Sequence, residues 1–450
     1  MSLVIVPSLD AGAGSRPMMR PRPRAAQPPG VAHWPDGPLW SPIAVRALAT
    51  SASALLLLLA VGCAAPPEPA APRLVLRHAR MPGEADPLPA LLAEFTRRHP
   101  GVRVAHEPLP WTADVQHQVY VINLEGGGPG FDVLMLDVIW IAEFARAGWL
   151  LDLTDRWPAA ERAEHAPAAV AAAILGGRVW AVPWVMNVGV LYYRRDLLAR
   201  HGVTVPATYG ELAAQAQQIL AAERDPRLAG FLWQARQYEG LVVNVLESLW
   251  AEGTDLLGPD GTLFPSPSRA AAALGFRRAL LARGVSPALV TGADEELTRR
   301  EFGAGRAVFL RNWPYAARLF EAPGSPVRGR VGLAPLPGGG ALGGAHLAIH
   351  RRTPHPALAW ALVRHLTRPA AQRAIAEATG LHPTRPALVD DPVLRAAFAG
   401  ARPRPVTPWY QTLSATLQPE FSAAILGLKP PAAALADARR RLEYLMGPGQ

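Results

Sequence analysis

FDVLMLDVIWIAEFARAGWL, at residues 131–150, joins a strand pattern to a helix pattern. Phe131 to Leu136 is a mainly apolar run, which is typical of a strand buried on both faces, and it stops at Asp137. From Ile139 to Leu150, apolar residues recur at helical spacing. A buried strand followed at once by a helix indicates an α/β protein whose strands are connected by crossover helices.

The same alternation continues on both sides of this stretch. Further strands are predicted at Leu74 to Leu76, Val102 to Val104, Val179 to Pro183, Gly189 to Tyr193, Val331 to Leu336 and His346 to His350. Further helices are predicted at Pro87 to His99, Asp114 to Leu124, Tyr209 to Ala222, Tyr238 to Ala251, Ser268 to Arg283, His355 to Leu366, Pro369 to Ala378, Pro392 to Ala399 and Ala432 to Leu445. Because strand patterns occur early and again near residue 340, we expect an early lobe that the chain revisits late.

Length and charge narrow the class of protein. The chain has 450 residues and a formal net charge of +9, enough length for two or three structural units. Lys429 is the single lysine, and the arginines are scattered along predicted helices. Nucleic-acid binding is disfavoured, because it needs clustered basic residues with interleaved aromatic residues. Cys63 is the single cysteine, so the chain forms no internal disulfide.

The sequence around Cys63 has the pattern of an export signal. Arg46 precedes an apolar run that includes Leu55 to Leu59, and small residues follow up to Cys63. This run is too short to span a membrane, although a buried helix is the alternative. LAVGC at 59–63 resembles a bacterial lipobox, in which the cysteine is lipidated. We predict an N-terminal extension plus lipoprotein signal peptide at 1–62, with translation starting near Val45, and a Pro/Ala tether at 63–72.

The rest of the chain resembles a known family in a series of short segments whose order and spacing are specific together. The segments are LAEF at 92–95 with HPGV at 99–102, DVLMLDVIW at 132–140, EFA at 143–145 with AGWL at 147–150, LYYRRDLL at 191–198, QYEGL at 237–241, RNWPY at 311–315 and PTRP at 383–386. From about Leu74 to the C-terminus, the sequence is similar to the family-one extracellular solute-binding proteins, the carbohydrate receptors of ABC importers. Trehalose- and maltose-binding members are the most similar of them.

This resemblance implies a fold and a set of partners. The fold is a two-lobe periplasmic-binding-protein fold, type II-like, with hinge crossover strands and a ligand cleft between the lobes. By analogy, lobe 1 comprises 73–182 and 331–385, and lobe 2 comprises 183–330 and 386–450. The expected partners are a carbohydrate ligand and the transmembrane subunits of an ABC permease. The protein is expected to be a monomer, exported to the periplasm or cell surface and held on a membrane by the lipid on Cys63.

Candidate ligand-binding residues combine polar groups for sugar hydroxyls with aromatic rings for the C–H faces of a sugar. They are expected at strand ends and helix starts, where ligands lie in open α/β sheets. The candidates are Glu84, Asp137, Trp184, Asn187, Tyr238, Glu239, Trp313, Gly344 and Arg385. For Asp137 and Glu84, the resemblance implies a sugar-binding carboxylate.

Five of the candidates also have a structural interpretation. Asp137 is a favourable helix N-cap, and the helix dipole alone favours Glu239 at the start of its helix. Glu84 is equally compatible with a solvated loop. Trp313 and Trp184 are compatible with the hydrophobic core.

Three positions depart from the family pattern. Relatives often have an aspartate where this chain has Asn187 and an aromatic residue where it has Val185. Many have Gly-Gly-Trp where this chain has GGA at 343–345. One acid and one or two aromatic surfaces are therefore replaced, and neither trehalose nor maltose follows as the ligand.

Two other functions are compatible with these residues. In an exported carbohydrate-active enzyme, Asp137 and Glu239 would serve as acid and base. A sensor would present a bound sugar to a signalling partner through the same fold. No cofactor or metal is expected, because His346 and His350 lie in a strand pattern, where their spacing does not form the helical pair of a zinc site.

Overall fold

The fold is described from a computed structural model, which covers residues 71–79, 86–110, 113–127 and 130–446. The predictions for Glu84, for Cys63 and for the signal segment fall outside these residues. The tether prediction does so as well, except for Ala71 and Pro72.

Strands and helices alternate along the first half of the described chain, and helices dominate its end. The strands are β1 (Arg73–Ala79), β2 (Arg103–Leu109), β3 (Val133–Asp137), β4 (Ile174–Leu175), β5 (Arg178–Val179), β6 (Ala181–Val188), β7 (Val190–Arg194), β8 (Ala229–Leu232), β9 (Ala307–Asn312), β10 (Val331–Pro335), β11 (Leu342–Ile349) and β12 (His382–Pro383). The helices are α1 (Leu88–Arg98), α2 (Ala113–Glu125), α3 (Ile141–Arg146), α4 (Ala159–Arg162), α5 (Pro167–Ala172), α6 (Arg195–Arg200), α7 (Tyr209–Glu223), α8 (Glu239–Ala251), α9 (Pro267–Ala282), α10 (Glu295–Gly303), α11 (Ala316–Phe320), α12 (Pro356–Thr367), α13 (Pro369–Thr379), α14 (Pro392–Ala399), α15 (Tyr410–Ile425) and α16 (Pro431–Met446). None of the helices in the described part of the chain is long and apolar enough to cross a membrane.

Six strands form the sheet of lobe 1, in the order β12-β6-β11-β3-β1-β2. β1 pairs in parallel with β2 and β3, whereas β11 lies antiparallel between β3 and β6. Alternate residues of β1 enter different core clusters: Leu74 and Leu76 pack on one face and Val75 on the other. The sheet is therefore buried on both faces, as the apolar run of β3 predicted.

Four strands form the sheet of lobe 2, in the order β10-β7-β9-β8. β7 is antiparallel to both β9 and β10, and β8 is parallel to β9. All six residues of β9 and all four of β8 are buried. The two mixed sheets confirm the α/β class and the two-lobe fold.

Two short crossover segments connect the lobes at β6–β7 and β10–β11, and the chain crosses once more between β12 of lobe 1 and α14, whose Leu394, Ala397 and Phe398 lie in the core of lobe 2. Gly189 separates β6 of lobe 1 from β7 of lobe 2, and residues 336–341 separate β10 from β11. The strand pairing differs here from the predicted lobe boundaries. Residues 183–188 pair with β11 in lobe 1, and Val331–Pro335 pairs with β7 in lobe 2. An apolar strand pattern indicates burial but does not indicate the sheet that the strand joins.

A third segment returns to the crossovers near the C-terminus. Leu342 N donates to Arg402 O at 2.8 Å, and Arg402 N donates to Gly340 O at 3.0 Å. Arg402, in the loop between α14 and α15, therefore lies beside the start of β11. This contact brings a loop from the end of the chain to the junction of the two lobes.

Candidate functional site

The described residues enclose a cavity of about 490 Å³ between the two lobes, within the usual range of ligand pockets. Lobe 1 lines it with the ends of β3 and β6, the bulged part of β11 and the start of α2. Lobe 2 lines it with the starts of α8 and α10 and the residues that follow β9. Six predicted site residues meet at this cavity: Asp137, Asn187, Tyr238, Glu239, Trp313 and Gly344.

Asp137 stands at the carboxyl end of β3, opposite Ala345 of β11. Its Oδ1 accepts from the backbone N–H of Ile139 at 3.2 Å, which is an Asx turn and not the predicted helix cap, because α3 begins at Ile141 with Trp140 as its N-cap. The side chain remains 26% exposed toward the cavity. One carboxylate therefore both closes a turn before α3 and faces the cavity.

Arg404, which sequence reasoning missed, lies between the carboxylates of the two lobes. Its Nη2 donates to Asp137 Oδ1 at 2.7 Å, and its Nη1 donates to Glu239 Oε1 at 2.9 Å. Burial opposes the charge of Arg404, but Asp137 and Glu239 outweigh this effect and raise its pKa above the ordinary value. The guanidinium is thus a permanent cation that joins lobe 1 to lobe 2 at the wall of the cavity.

Glu239 is held by three donors and is almost completely buried. Besides Arg404, its Oε1 accepts from Tyr410 Oη at 2.7 Å, and its Oε2 accepts from Ser414 Oγ at 2.5 Å. Burial raises the pKa of Glu239, while Arg404, Ser414 and Tyr410 stabilise the carboxylate. Because these partners use both oxygens, Glu239 acts mainly by holding Arg404 in place, although it also lines the cavity.

Aromatic side chains form the lobe 2 wall of the cavity around Glu295. Tyr238 Oη donates to Glu295 Oε2 at 2.7 Å, and Trp313 Nε1 approaches Glu295 Oε1 at 3.3 Å. Beside them, Tyr315 Oη donates to Glu296 Oε1 at 2.8 Å. One acidic helix start therefore orients three rings that come from two separate segments of the sequence.

Two glycines allow close approaches at the site. A Cβ on Gly240 would lie 2.2 Å from Tyr238 Oη, so the phenol folds back over the start of α8 only because residue 240 is glycine. Gly344 has a φ of +123° and approaches the backbone of Val185, where a Cβ would lie 2.3 Å from the carbonyl oxygen. The strand register shifts one residue later, between Ala345 and His346.

Asn187 lies on β6 opposite Gly343 of β11 and lines the cavity. Its Oδ1 is buried and accepts no hydrogen bond from any of the described residues. A Cβ on Gly343 would lie 3.1 Å from the Trp313 ring and 3.6 Å from Asn187 Cβ. The amide and the indole therefore flank the same glycine from different lobes.

Two predicted site residues lie outside this cavity. Trp184 is fully buried in the core of lobe 1, where Nε1 donates to Leu366 O at 3.1 Å. Arg385 donates to Thr367 O at 2.6 Å and to Glu164 Oε2 at 3.1 Å. Both side chains face away from the cleft because they pack against the helices that cover the lobe 1 sheet.

The histidines predicted not to bind metal take structural positions. His346 is buried, and its Nε2 donates to Ala169 O at 2.8 Å. His350 packs beside the ring of Phe131 at 6.0 Å. Within the described ranges, His, Cys, Asp and Glu side chains form no group of three or more suited to a metal ion.

Sequence and structure comparisons give the family of this chain. Residues 82–373 match the profile of the bacterial extracellular solute-binding proteins. This chain belongs to that family. A probable ABC transporter-binding protein of Deinococcus radiodurans is 36% identical over 321 residues, which are 66% of this chain and 75% of the relative.

Solved structures of solute-binding proteins have the same fold. The maltose-bound MalE3 of T. maritima superposes with a TM-score of 0.75 at 36% identity, over 83% of this solute-binding protein and 99% of the other chain. An ABC transporter solute-binding protein of Thermotoga lettingae, bound with alpha-D-tagatose, has a TM-score of 0.74 at 21% identity, over 84% and 100% of the two chains. At that identity, the second likeness shows the fold alone.

Proposed function

We propose that this solute-binding protein is the extracytoplasmic receptor of an ABC importer and captures a mono-, di- or oligosaccharide in the cavity between its lobes. The observation that carries the proposal is the meeting of Trp313 and Tyr238 with Asp137, Arg404 and Asn187 in one interlobe cavity. Aromatic faces pack against sugar C–H groups, and the polar side chains pair with hydroxyls. The maltose bound to the T. maritima protein supports the same ligand class.

The charges that line the cavity favour an uncharged sugar or polyol. Asp114, Asp137, Glu239, Asp294, Glu295 and Glu296 contribute six carboxylates to the lining, whereas Arg236 and Arg404 contribute two guanidiniums. Arg236 is paired with Asp294 at 2.9 Å, and Arg404 is paired with both Asp137 and Glu239. Since both guanidiniums among the described lining residues are paired with carboxylates, a uronate or sugar phosphate would meet like charge there and should bind poorly.

The transport role adds two further proposals. The lipobox-like sequence at Cys63 would supply a lipid anchor, and 64–72 would tether the folded lobes near a membrane. The permease of the same importer would then receive the sugar from the cleft. A sensor that presents the sugar to a signalling partner would use the same binding step. A pull-down from membranes distinguishes the importer receptor from the sensor, because the first should recover a permease and the second a signalling protein.

A thermal-shift screen of the chain from residue 64 onward tests the binding step. The panel contains maltose, maltotriose, trehalose, tagatose, ribitol, mannitol, glucuronate and glucose 6-phosphate. A neutral ligand should raise the melting temperature, because it binds the folded state alone, whereas the two anions should not. A panel without any stabilising sugar or polyol would contradict the proposal. Release of products from a bound disaccharide would instead support an enzyme.

Metabolic labelling with palmitate tests the anchor. The full chain should incorporate label into the membrane fraction, and Cys63→Ala should not. Label retained by Cys63→Ala would exclude lipidation at this position. Because Cys63 is the single cysteine, no second thiol can replace it.

A further inference from the structure

An ion pair is buried in lobe 2 behind the cavity. Arg311 of β9 donates to Glu247 of α8 through Nε at 2.8 Å and Nη2 at 2.6 Å. Both side chains are 0% exposed, and both lie outside the lining of the cavity. A buried pair gives up the hydration of both charges, so its presence is weak evidence for stability and calls for another physical reason.

The Glu247 side chain contacts two of the segments that connect the lobes, the β6–β7 and β10–β11 crossovers. Its Oε1 accepts from the backbone N–H of Ala341, which directly precedes β11, at 3.1 Å. It also fills the space beside Gly189, where a Cβ would lie 2.0 Å from Glu247 Oε1 and 2.8 Å from Arg311 Nη2. The pair therefore lies at the point where the two crossovers pass each other.

The Arg311 side chain contacts the main aromatic ring of the cavity. Its guanidinium carbon lies 4.1 Å from the centroid of the Trp313 ring, which is within the range of a cation–π interaction. The Trp313 indole also approaches lobe 1, at Gly343 of β11. Trp313 is thus placed between a cation fixed to the crossovers and a glycine of the opposite lobe.

We propose that Glu247 and Arg311 form a positioning pair that fixes the Trp313 indole relative to the two interlobe crossovers. The pair sets ligand affinity without touching the ligand, because the orientation of the stacking ring depends on Arg311. Glu247 in turn fixes Arg311 to the backbone of Ala341 and to Gly189. This inference rests on the proposed function only in assigning the Trp313 ring to the ligand.

The double variant Glu247→Met/Arg311→Met tests the pair in the full chain. Replacing a buried ion pair by apolar residues of similar volume is often neutral or stabilising, so the urea unfolding midpoint should stay close to that of the wild type. Maltose affinity, measured by calorimetry, should fall about tenfold. In protein labelled with 5-fluorotryptophan, the ¹⁹F resonance of Trp313, identified by its loss in Trp313→Phe, should shift without any ligand present.

Arg277→Met is the matched control. Arg277 is also fully buried in lobe 2, donates to Ser248 Oγ at 2.7 Å and stacks 4.6 Å from the ring of Trp233. Its loss should lower the unfolding midpoint but leave maltose affinity and the Trp313 resonance as in the wild type.

Two outcomes would overturn the positioning role. One is an unmoved Trp313 resonance in the double variant, and the other is a moved resonance with unchanged affinity for a sugar that the wild type binds. If the wild type binds no sugar, the proposed function fails, while the ligand-free ¹⁹F measurement still decides whether the pair positions Trp313.

Discussion

Trp313 should affect binding far more than folding. The ring is partly exposed in the cavity, and its Nε1 and backbone N–H have partners in Glu295 and Asn312. Trp313→Ala should therefore weaken maltose binding about tenfold to a hundredfold, as the loss of a central aromatic contact does. Trp360 is the matched control, because it is also half-buried and has an arginine, Arg364, 5.8 Å from its ring. Equal affinities of Trp313→Ala and Trp360→Ala in calorimetry would remove Trp313 from the site.

Arg404 should affect both binding and folding, because among the described residues it alone joins Asp137 to Glu239. Arg404→Met leaves the buried Glu239 without its cation, and removing one partner of a buried pair costs about 3–5 kcal/mol of unfolding free energy. Urea unfolding measures this loss. Arg178→Met, which removes an exposed pair with Asp152 at 3.7 Å, should leave the midpoint close to that of the wild type. Similar midpoints for the two variants would show that Arg404 contributes little to stability.

The sequence predicted some residues of the site correctly and others not. Asp137 was predicted because an apolar run stops at it and a helix pattern follows. Arg404 has no such local signal, and it is 267 positions from its partner Asp137. Trp184 and Arg385 sit near the correct strands, but the sequence does not specify whether a side chain faces the cleft or the covering helices.

At the scale of elements, predictions succeeded where local pattern and burial agree. The helix pattern at Pro87 to His99 corresponds to α1, whose apolar residues Leu88, Leu91, Leu92 and Phe95 are all buried. β2 extends beyond its predicted end through Pro108, which an edge strand tolerates. β8, β9 and α10 were not predicted, and neither was α15, which contains Pro419 within the helix. Pairing with distant partners stabilises these elements, and a local sequence window does not contain that information.

Buried histidines on β11, on β12 and before α5 make stability depend on pH. Burial lowers the pKa of His346 to about 4, although its hydrogen bond to Ala169 O opposes this shift. Burial also lowers the pKa of His382 to about 4 and that of His165 to about 3. As the pH falls, the histidines of the unfolded chain bind protons near their ordinary pKa of 6.5, whereas those of the folded chain bind protons only at lower pH. The stability that these neutral, buried histidines contribute is therefore fully present above pH 6.5 and is lost as the pH falls toward 4.

His346→Gln tests this dependence, because the amide can still donate to Ala169 O but does not titrate. Between pH 6.5 and 4, His346 should account for about 3 kcal/mol of the lost unfolding free energy. Urea unfolding of the variant should therefore depend less steeply on pH than that of the wild type. His355→Gln, which changes a partly exposed histidine before α12, is the comparison. A variant with the full wild-type slope would assign the dependence to other groups.

At the scale of the whole molecule, the site exists because three distant segments meet at the crossovers. β3 supplies Asp137, the start of α8 supplies Glu239, and the loop before α15 supplies Arg404. The resemblance predicted the two lobes and the cleft between them. The predicted lobe boundaries lie several residues from those that the strand pairing gives. Residues 183–188 of β6 were predicted in lobe 2 but pair in the sheet of lobe 1, and β10 was predicted in lobe 1 but pairs in the sheet of lobe 2.

The close passage of the crossovers makes the relative position of the lobes sensitive to one methyl group. A Cβ on Gly340 would lie 2.1 Å from the carbonyl oxygen of Gly189, and no flexible side chain can move to relieve this clash. Gly340→Ala should therefore displace one crossover and cost about 1–3 kcal/mol of unfolding free energy, as overpacking does. Maltose affinity should fall as well, although residue 340 lies outside the cavity lining, because the two walls of the site belong to different lobes. Calorimetry and the radius of gyration from small-angle X-ray scattering measure both effects.

Gly275→Ala is the matched control, since a Cβ at that position in α9 meets nothing within 4 Å. If Gly340→Ala and Gly275→Ala both bind and scatter like the wild type, the crossovers tolerate separation, and the geometry of the site does not depend on their contact.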